Sequence, residues 1–309
     1  MTIKLCNELL RHDTSLKESK MAGVKTLRLE DGRLLGYAIY GDPAGQPVFY
    51  FHGCPGSRLE AQLADGVAAR MGIRLIALDR PGFGLSDFKP RRTIFEWPDD
   101  VLRVADALGI SRFATIGVSG GGPYAAACAL RLPQRVTAVA IVCGLGPLDT
   151  AGGSDRMIQN NHLILFLGRR LPWLARLSVR RVAYQVRRNP GAILARLLVA
   201  LPDPDKAVLA RPEIKNTIKD NIVEAFRGGS RGAACELLLY TRPWGFLLED
   251  IATRVNLWHG DQDVSVPPTM GRYQARTIPN CRAIFYPGEG HFSLVINHME
   301  EILSGLLDR

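Results

Sequence analysis

Residues 113–121 read FATIGVSGG, and this stretch indicates the fold class more strongly than any other. An apolar run of strand length, residues 113–118, ends at Ser119, and a small-residue stretch of helix length, residues 121–132, follows it. Gly-x-Ser-x-Gly in this context is typical of a sharp strand-to-helix turn that holds a serine hydroxyl above the end of a sheet. The helix would aim its N-terminal N–H groups at the same point. Ser119 is therefore the candidate nucleophile.

Similar apolar runs recur on both sides of this stretch, separated by segments of helix length such as 59–69 and 98–108. Short buried strands that alternate with helices predict an α/β fold with a mostly parallel sheet and helices on both faces. A hairpin is expected at the start, around the Asp-Gly pair at 31–32. The other predicted strands are residues 25–29, 34–40, 47–52, 73–78, 136–142, 255–259 and 283–286.

The alternation stops near residue 147 and resumes near residue 254. We therefore expect a core formed by residues 24–147 and 254–309, a helical cap insertion at 148–253, and a polar N-terminal leader at 1–23. Positions 150–200 carry nine arginines and one acidic residue, which accounts for +8 of the formal net charge of +9. Two interpretations stay open, a solvated helix face or weak association with anionic surfaces. No aromatic-basic motif accompanies the arginines, so no nucleic-acid partner is expected.

Composition narrows the remaining function classes. The chain has 309 residues, 47% of them hydrophobic and 22% charged, as in ordinary globular proteins. No apolar run approaches the roughly 20 residues that span a bilayer. None of the six cysteines forms a C-x-x-C pair or a Cys/His cluster with zinc-ligand spacing, so reduced thiols and no metal are expected. The chain is therefore expected to be cytoplasmic.

A second strand end carries the glycine-rich sequence HGCPG at residues 52–56. Backbone N–H groups of such a loop can turn toward the serine, and we expect those of Cys54 and Gly120 to form an oxyanion hole. The Cys54 thiol has no apparent base beside it, so its backbone is the favoured contribution. The loop around it would be supported by His52, Gly53, Pro55 and Gly56.

Two further strand ends offer an acid and a base. Residues 259–267 read HGDQDVSVP, where Asp261 or Asp263 could orient a histidine, and Asp149 after an earlier strand is another candidate. His291 lies between flexible residues in GEGHF near the end of the chain and is the candidate general base. His259 ends an apolar strand and is interpreted as structural.

Taken together, the motifs HGCPG (52–56), DRPGFGLSD (79–87), GVSGG (117–121), HGDQDVSVP (259–267) and GEGH (288–291) resemble the α/β-hydrolase family. The resemblance covers the chain from about residue 24 to its end, apart from the insertion. It implies an eight-stranded sheet, a cap after the sixth strand, and a triad in the order Ser119, Asp263, His291. Asp263 is chosen because it is the aspartate of the family's G-x-x-D-x-x-x-P pattern.

The resemblance implies a serine hydrolase that cleaves a carboxylic ester or related acyl bond of a small molecule, without cofactor or metal. A proline iminopeptidase-like aminopeptidase is an alternative, because those enzymes share an H-G-x-P-G loop; they have glycine where this chain has Cys54. A ligand-binding protein with slow or no turnover is a second alternative. Candidate walls of the acyl pocket are Leu163, Phe166, Trp173, Leu177, Tyr184, Trp244 and Phe246.

Overall fold

Eight strands form one sheet in the computed structural model, which describes residues 24–148 and 157–307. Each predicted strand is present, with ends that differ from the expected ones by at most two residues. The predicted fold class is therefore confirmed. The strands are β1 (Val24–Arg28), β2 (Leu34–Gly41), β3 (Gln46–Phe51), β4 (Ile73–Leu78), β5 (Phe113–Val118), β6 (Val136–Val142), β7 (Val255–Gly260) and β8 (Cys281–Tyr286).

The strand order is β1-β2-β4-β3-β5-β6-β7-β8. Strand β2 runs antiparallel to β1 and β4, whereas the six strands from β4 to β8 in this order are parallel to one another. Every residue of the central strand β5 is buried, as expected for a strand covered by helices on both faces. Because the carboxyl ends of parallel strands meet at one edge, the segments after β3, β5, β7 and β8 converge there.

The core helices are α1 (Asp65–Arg70), α2 (Trp97–Ala107), α3 (Gly122–Arg131), α10 (Pro268–Thr277), α11 (His291–Asn297) and α12 (Met299–Ser304). The single helix expected at 59–69 is two segments, a 3₁₀ turn at Arg58–Ala64 and then α1. The Ser57 hydroxyl accepts the Leu59 N–H and thereby begins the 3₁₀ turn.

Helix α2 illustrates how the sequence forms the packed layers. Pro98 lies in the first turn beside Asp99 and Asp100, which suit the free N–H groups and positive dipole of a helix start. Val101, Val104 and Ala105 follow at helical spacing and are all buried in the main hydrophobic core. The helix therefore presents an apolar stripe to the sheet.

Between β6 and β7, residues 157–253 are described and contain six α-helices, and we call this part of the chain the insert. Helix α7 of the insert packs against α11, and α8 packs against the turn at Arg58–Ala64. In the described part of the chain, no helix has both the length and the apolarity needed to cross a membrane. The insert helices are α4 (Gln159–Arg170), α5 (Pro172–Arg188), α6 (Pro190–Ala200), α7 (Asp203–Leu209), α8 (Pro212–Ala225) and α9 (Arg231–Tyr240).

Candidate active site

Ser119 lies at the tight turn between β5 and α3, with a backbone φ of +54°. This left-handed conformation is strained for a residue with a side chain. The flanking glycines permit the turn. A Cβ at Gly117 would lie 2.4 Å from the Gly121 carbonyl oxygen, and one at Gly121 would lie 2.1 Å from that of Phe51. Only glycine fits at both positions, so the Gly-x-Ser-x-Gly pattern reflects close backbone packing.

His291 is the first residue of α11, and its Nδ1 lies 2.7 Å from Asp263 Oδ2. Both side chains are buried. An ionised carboxylate can only accept, so His291 carries its proton on Nδ1 and leaves Nε2 with a free lone pair. Ser119 and His291 line the same cavity. The structure thus brings together the three residues that the sequence predicts as a triad.

Asp263 is held by further hydrogen bonds from its own loop. Its Oδ1 accepts the N–H groups of Ser265 at 2.8 Å and Val266 at 2.9 Å. Burial disfavours the charged carboxylate, but the adjacent His291, with the hydrogen bonds from His259 and His291, keeps the Asp263 pKa below its usual value. Asp261 is exposed and accepts the Gly288 N–H instead. Asp149 lies outside the described residues.

His259 is buried behind Asp263. Its Nε2–H donates to the Val266 carbonyl at 2.9 Å and lies 3.4 Å from Asp263 Oδ2. Cys143, His259 and Asp263 place potential ligand atoms within 4.8 Å of one another. However, Asp263 already accepts hydrogen bonds from His291, Ser265 and Val266, and His259 Nε2–H already donates to the Val266 carbonyl. The cluster is better described as a hydrogen-bond network that supports the carboxylate.

The loop after β3 is held by His52, which is completely buried. His52 Nδ1 donates to the Gly53 carbonyl at 2.7 Å, while Nε2 accepts the Arg80 N–H at 3.2 Å. Burial, reinforced by the nearby Arg80 cation, lowers the pKa of His52 well below its usual value. A neutral imidazole with both nitrogens bonded is placed to fix the loop.

Cys54 and Gly120 meet at the wall of the cavity. A Cβ on Gly120 would lie 2.9 Å from the Cβ of Cys54, so the two residues are direct neighbours. The Cys54 N–H donates to no acceptor in the described part of the chain. Burial raises the pKa of the Cys54 thiol to about 12, which leaves it protonated at neutral pH. Gly53 and Pro55 also line the cavity.

A buried ion pair network lies beneath this loop, and sequence reasoning did not identify it. Glu236, on insert helix α9, binds Arg80 through Oε1 and Arg92 through Oε2. Burial opposes its ionisation, but the two guanidiniums outweigh that effect and lower the Glu236 pKa to about 2. Arg80 in turn donates to the carbonyls of His52 and Gly53. Glu236 is the one acidic residue in the apolar stretch 233–240, and this pattern could have indicated a buried ion pair.

The same carboxylate also contacts the turn that holds Ser119. The Tyr240 hydroxyl lies 2.8 Å from Glu236 Oε1 and donates at 2.8 Å to the carbonyl of Gly120. Since an O–H has one proton, the two contacts share it, and the ionised Glu236 accepts only part of the time. The insert therefore contacts the backbone of the cavity wall directly at Gly120, through Tyr240, and indirectly at Gly53, through Arg80.

Asp205 is a second contribution of the insert that sequence reasoning did not assign to the site. Its carboxylate is fully buried and accepts the backbone N–H groups of His291 at 3.0 Å, Phe292 at 2.8 Å and Ser293 at 2.8 Å. Gly290 makes room for it, because a Cβ there would lie 2.5 Å from the carboxylate. Asp205 thus caps α11 at the residue that carries the imidazole.

The charge environment of His291 follows from these contacts. Burial disfavours the imidazolium, but the carboxylates of Asp263, Asp205 and Glu60 together raise the His291 pKa above its usual value. Glu60 accepts the Gly53 N–H at 2.9 Å and the Tyr50 hydroxyl at 3.0 Å. Burial raises the pKa of Glu60 despite these bonds.

The cavity at Ser119 has a volume of about 280 Å³ and mostly apolar walls. On α4, the predicted wall residues Leu163 and Phe166 are exposed. Their sequence neighbours Ile164 and Leu165 line the cavity instead. Helical periodicity in an amphipathic segment was insufficient to tell which stripe faces the cavity. None of the seven predicted wall residues lines it. Other apolar residues around it are Leu63, Met157, Leu197, Ile214, Ile218, Ile222 and Leu237.

Comparison with known families agrees with the fold. A model of the alpha/beta hydrolase fold matches residues 46–297. A serine hydrolase-like protein from Danio rerio is 31% identical over 144 residues, which cover 46% of this chain and 44% of that protein. A 2-hydroxymuconate semialdehyde hydrolase from Pseudomonas putida is 30% identical over 158 residues, covering 48% and 56%. The matched region thus spans about half the length of these curated relatives.

Solved structures with the same architecture align over nearly the whole chain. A hydrolase from Pseudomonas aeruginosa PA01 superposes with a TM-score of 0.67 at 18% identity, covering 93% of this chain and 98% of that one. A thermophilic esterase from Thermogutta terrifontis gives a TM-score of 0.66 at 23% identity, covering 91% and 96%. At these identities the likeness concerns the fold alone.

Proposed function

Because the chain belongs to the α/β-hydrolase fold family, we propose that it is a serine hydrolase that cleaves carboxylic esters through an acyl-enzyme. The observation that carries the proposal is the arrangement of Ser119, His291 and Asp263 at one cavity. A serine on a strained turn and a histidine already oriented by a buried carboxylate line one apolar cavity. A nucleophile, a base and an orienting acid are the parts that acyl transfer requires.

In the proposed first step, His291 Nε2 takes the Ser119 proton as Oγ attacks the ester carbonyl carbon. The carbonyl π electrons move to oxygen, and the N–H groups of Cys54 and Gly120 hold the resulting oxyanion. The imidazolium then gives its proton to the departing alkoxide, which leaves as an alcohol. Asp263 stays ionised throughout and stabilises the imidazolium.

In the second step, water replaces the alcohol. His291 accepts a proton from the water as it attacks the acyl carbon, and then returns it to Ser119 Oγ as the acid is released. Glu60 and His52 keep the oxyanion loop in place through Gly53, so the N–H groups need no rearrangement during the reaction.

The size and chemistry of the cavity favour a small or medium acyl group. About 280 Å³ with aliphatic walls accommodates a short chain and offers few polar partners besides the Ser119 region. We propose that the insert acts as the cap of this site, since α4, α6 and α8 supply much of the cavity wall. Acyl selectivity would then depend mainly on the insert.

The two alternatives receive less support. An aminopeptidase would need carboxylates free to bind a substrate amine, but Asp205 is occupied by three N–H groups, and neither Asp203 nor Glu213 lines the cavity. Glu60 does line the cavity, but it is held by the Gly53 N–H and the Tyr50 hydroxyl. A binding protein without turnover would have no need to maintain the strain at Ser119.

Labelling with a fluorophosphonate probe, compared between wild type and Ser119→Ala, tests the proposal. We expect rapid labelling of the wild type and none of the variant, followed by turnover of p-nitrophenyl esters that declines as the acyl chain outgrows the cavity. Folded wild-type protein that neither labels nor turns over esters would contradict the proposed activity and favour a binding protein.

A further inference from the structure

A second cavity, of about 990 Å³, lies on the opposite side of helix α9 from the candidate active site. Helix α9 contributes Leu237 and Tyr240 to the first cavity, and Ala234, Cys235 and Leu238 to the second. The two cavities therefore share a wall but not an interior. We call the second one the arginine cleft, after the six arginines that line it: Arg91, Arg92, Arg176, Arg180, Arg231 and Arg242.

The charge of this cleft is of one sign. No aspartate or glutamate is among the described residues that line it. Arg91, Arg176, Arg180 and Arg242 are exposed and form no ion pair in the described part of the chain, although surface arginines elsewhere, such as Arg131 and Arg135, do. A concave surface lined by one sign of charge concentrates counterions of the opposite sign.

The cleft also presents apolar surface beside its charges. Trp173 and Leu177 on α5 are 63% and 54% exposed, and they alternate at helical spacing with Arg176 and Arg180. Large apolar side chains exposed beside a cavity are typical of ligand-binding grooves. A ligand that satisfies both features needs an apolar body and an anionic group.

Two buried donors at the cleft have no acceptor among the described residues. They are the Nε1–H of Trp244 and the Nε–H of Arg92. Both side chains are at least nine-tenths buried, and buried N–H groups nearly always have a partner. Both nitrogens are shielded from solvent, so a ligand in the cleft would meet the exposed guanidiniums of Arg91, Arg176, Arg180 and Arg242 instead.

We propose that the arginine cleft binds an amphiphilic organic anion, with its carboxylate, sulfonate or phosphate group against the arginines and its apolar body on Trp173 and Leu177. The site is separate from the acyl cavity and does not depend on the proposed hydrolysis. We expect the cleft to select ligands that carry both a negative charge and an apolar surface, because Arg176 and Arg180 alternate with apolar residues along one helix.

Calorimetric titration with naphthalene-2-sulfonate, and with the neutral 2-naphthalenemethanol, tests the proposal on the full chain. We expect the sulfonate to bind wild type at one site, more weakly as salt increases, and the alcohol to bind at least about tenfold more weakly. The Arg176→Gln/Arg180→Gln variant should lose about tenfold in sulfonate affinity. The control Arg169→Gln/Arg181→Gln removes two exposed arginines outside the cleft and should bind as wild type.

Equal affinity of both double variants would place the sulfonate elsewhere, for example in the acyl cavity, and would overturn the proposal. Absence of sulfonate binding at millimolar concentration would do the same. Sedimentation with vesicles of phosphatidylglycerol and phosphatidylcholine distinguishes the source of the anion. Vesicle binding that requires Arg176 and Arg180, without binding of the soluble sulfonate, would assign the cleft to a lipid surface and overturn the soluble-ligand proposal.

Discussion

The backbone conformation of Ser119 costs stability and is therefore best explained by a functional constraint. Its φ of +54° would be relaxed for glycine, yet the turn holds a residue with a side chain there. The neighbouring Gly117 and Gly121 leave no room for the chain to relax, because their backbones contact those of Gly121 and Phe51. The strain is therefore imposed by the strand and helix on either side.

Two substitutions of Ser119 distinguish the effect of backbone strain on stability from the loss of the nucleophile. We expect Ser119→Gly and Ser119→Ala both to lack fluorophosphonate labelling. Ser119→Gly should be the more stable of the two by about 1 kcal/mol, because only glycine adopts the left-handed conformation without cost. Thermal unfolding of both variants measures the difference. A lower midpoint for Ser119→Gly would show that the turn is not strained in solution.

Asp263 is expected to act through the tautomer of His291. Asp263→Asn keeps the shape of the side chain but can donate to Nδ1, which would move the imidazole proton to Nε2 and block its role as a base. We expect ester turnover to fall by about 10⁴, as is typical when an orienting carboxylate is lost. Asp261→Asn is the matched control in the same loop, and it should retain near wild-type turnover because, among the described residues, the Asp261 side chain accepts only the Gly288 N–H.

At the scale of elements, helix α11 depends on a residue from the insert. Its first turn has three N–H groups bonded to Asp205, a side chain that precedes it by 86 to 88 positions. The helix-capping side chain of Asp205 therefore links α7 to the backbone of His291, the proposed base. Sequence patterns that identify local caps cannot identify a capping residue so far away along the chain.

Asp205→Asn tests whether this contact influences His291. The Asp205 charge helps to raise the His291 pKa, so its removal should lower that pKa. The base would then remain neutral to lower pH, and the acidic limb of kcat/KM for ester hydrolysis should move to lower pH. Stability should also fall, by about 1–3 kcal/mol, because an uncharged amide cannot accept all three N–H groups.

Asp203→Asn serves as the control for this variant. Asp203 lies on the same helix, but its side chain is 94% exposed and pairs with no described residue except Lys206. We expect its pH profile and stability to match wild type. A destabilised Asp205→Asn with an unshifted pH profile would reduce the role of Asp205 to a structural one.

For the molecule as a whole, the sequence predicts the sheet better than the contacts between the insert and the core. Strand positions follow from short apolar runs, and Ser119 and His291 are predicted from the glycine-rich segments that follow two of these strands. Asp263 is chosen over Asp261 through the resemblance to the family's G-x-x-D-x-x-x-P pattern. The pairing of Glu236 with Arg80 and Arg92 joins positions more than 140 residues apart and leaves no local pattern. On α4 the predicted wall residues Leu163 and Phe166 are exposed while Ile164 and Leu165 line the cavity, because this helix carries apolar residues on more than one side.

Glu236 should therefore be important for stability. Glu236→Gln leaves two buried guanidiniums without a carboxylate, and we expect a loss of about 3–5 kcal/mol in the free energy of unfolding. Denaturant unfolding measures it against Glu249→Gln, an exposed residue of the insert whose loss should have little effect. An unchanged unfolding midpoint in Glu236→Gln would indicate that water reaches the arginines.

The carboxylate of Glu236, shared by Arg80 and Arg92, also limits how inserts can be exchanged between proteins of this fold. Glu236 belongs to the insert, whereas Arg80 and Arg92 belong to the core, and the described residues offer these arginines no other carboxylate. The three residues therefore act as one unit, because each side of the contact compensates the buried charge of the other. Grafting this insert onto another hydrolase core would thus require transplanting the arginine pair with it, so that the Glu236 carboxylate is not buried without its two guanidiniums.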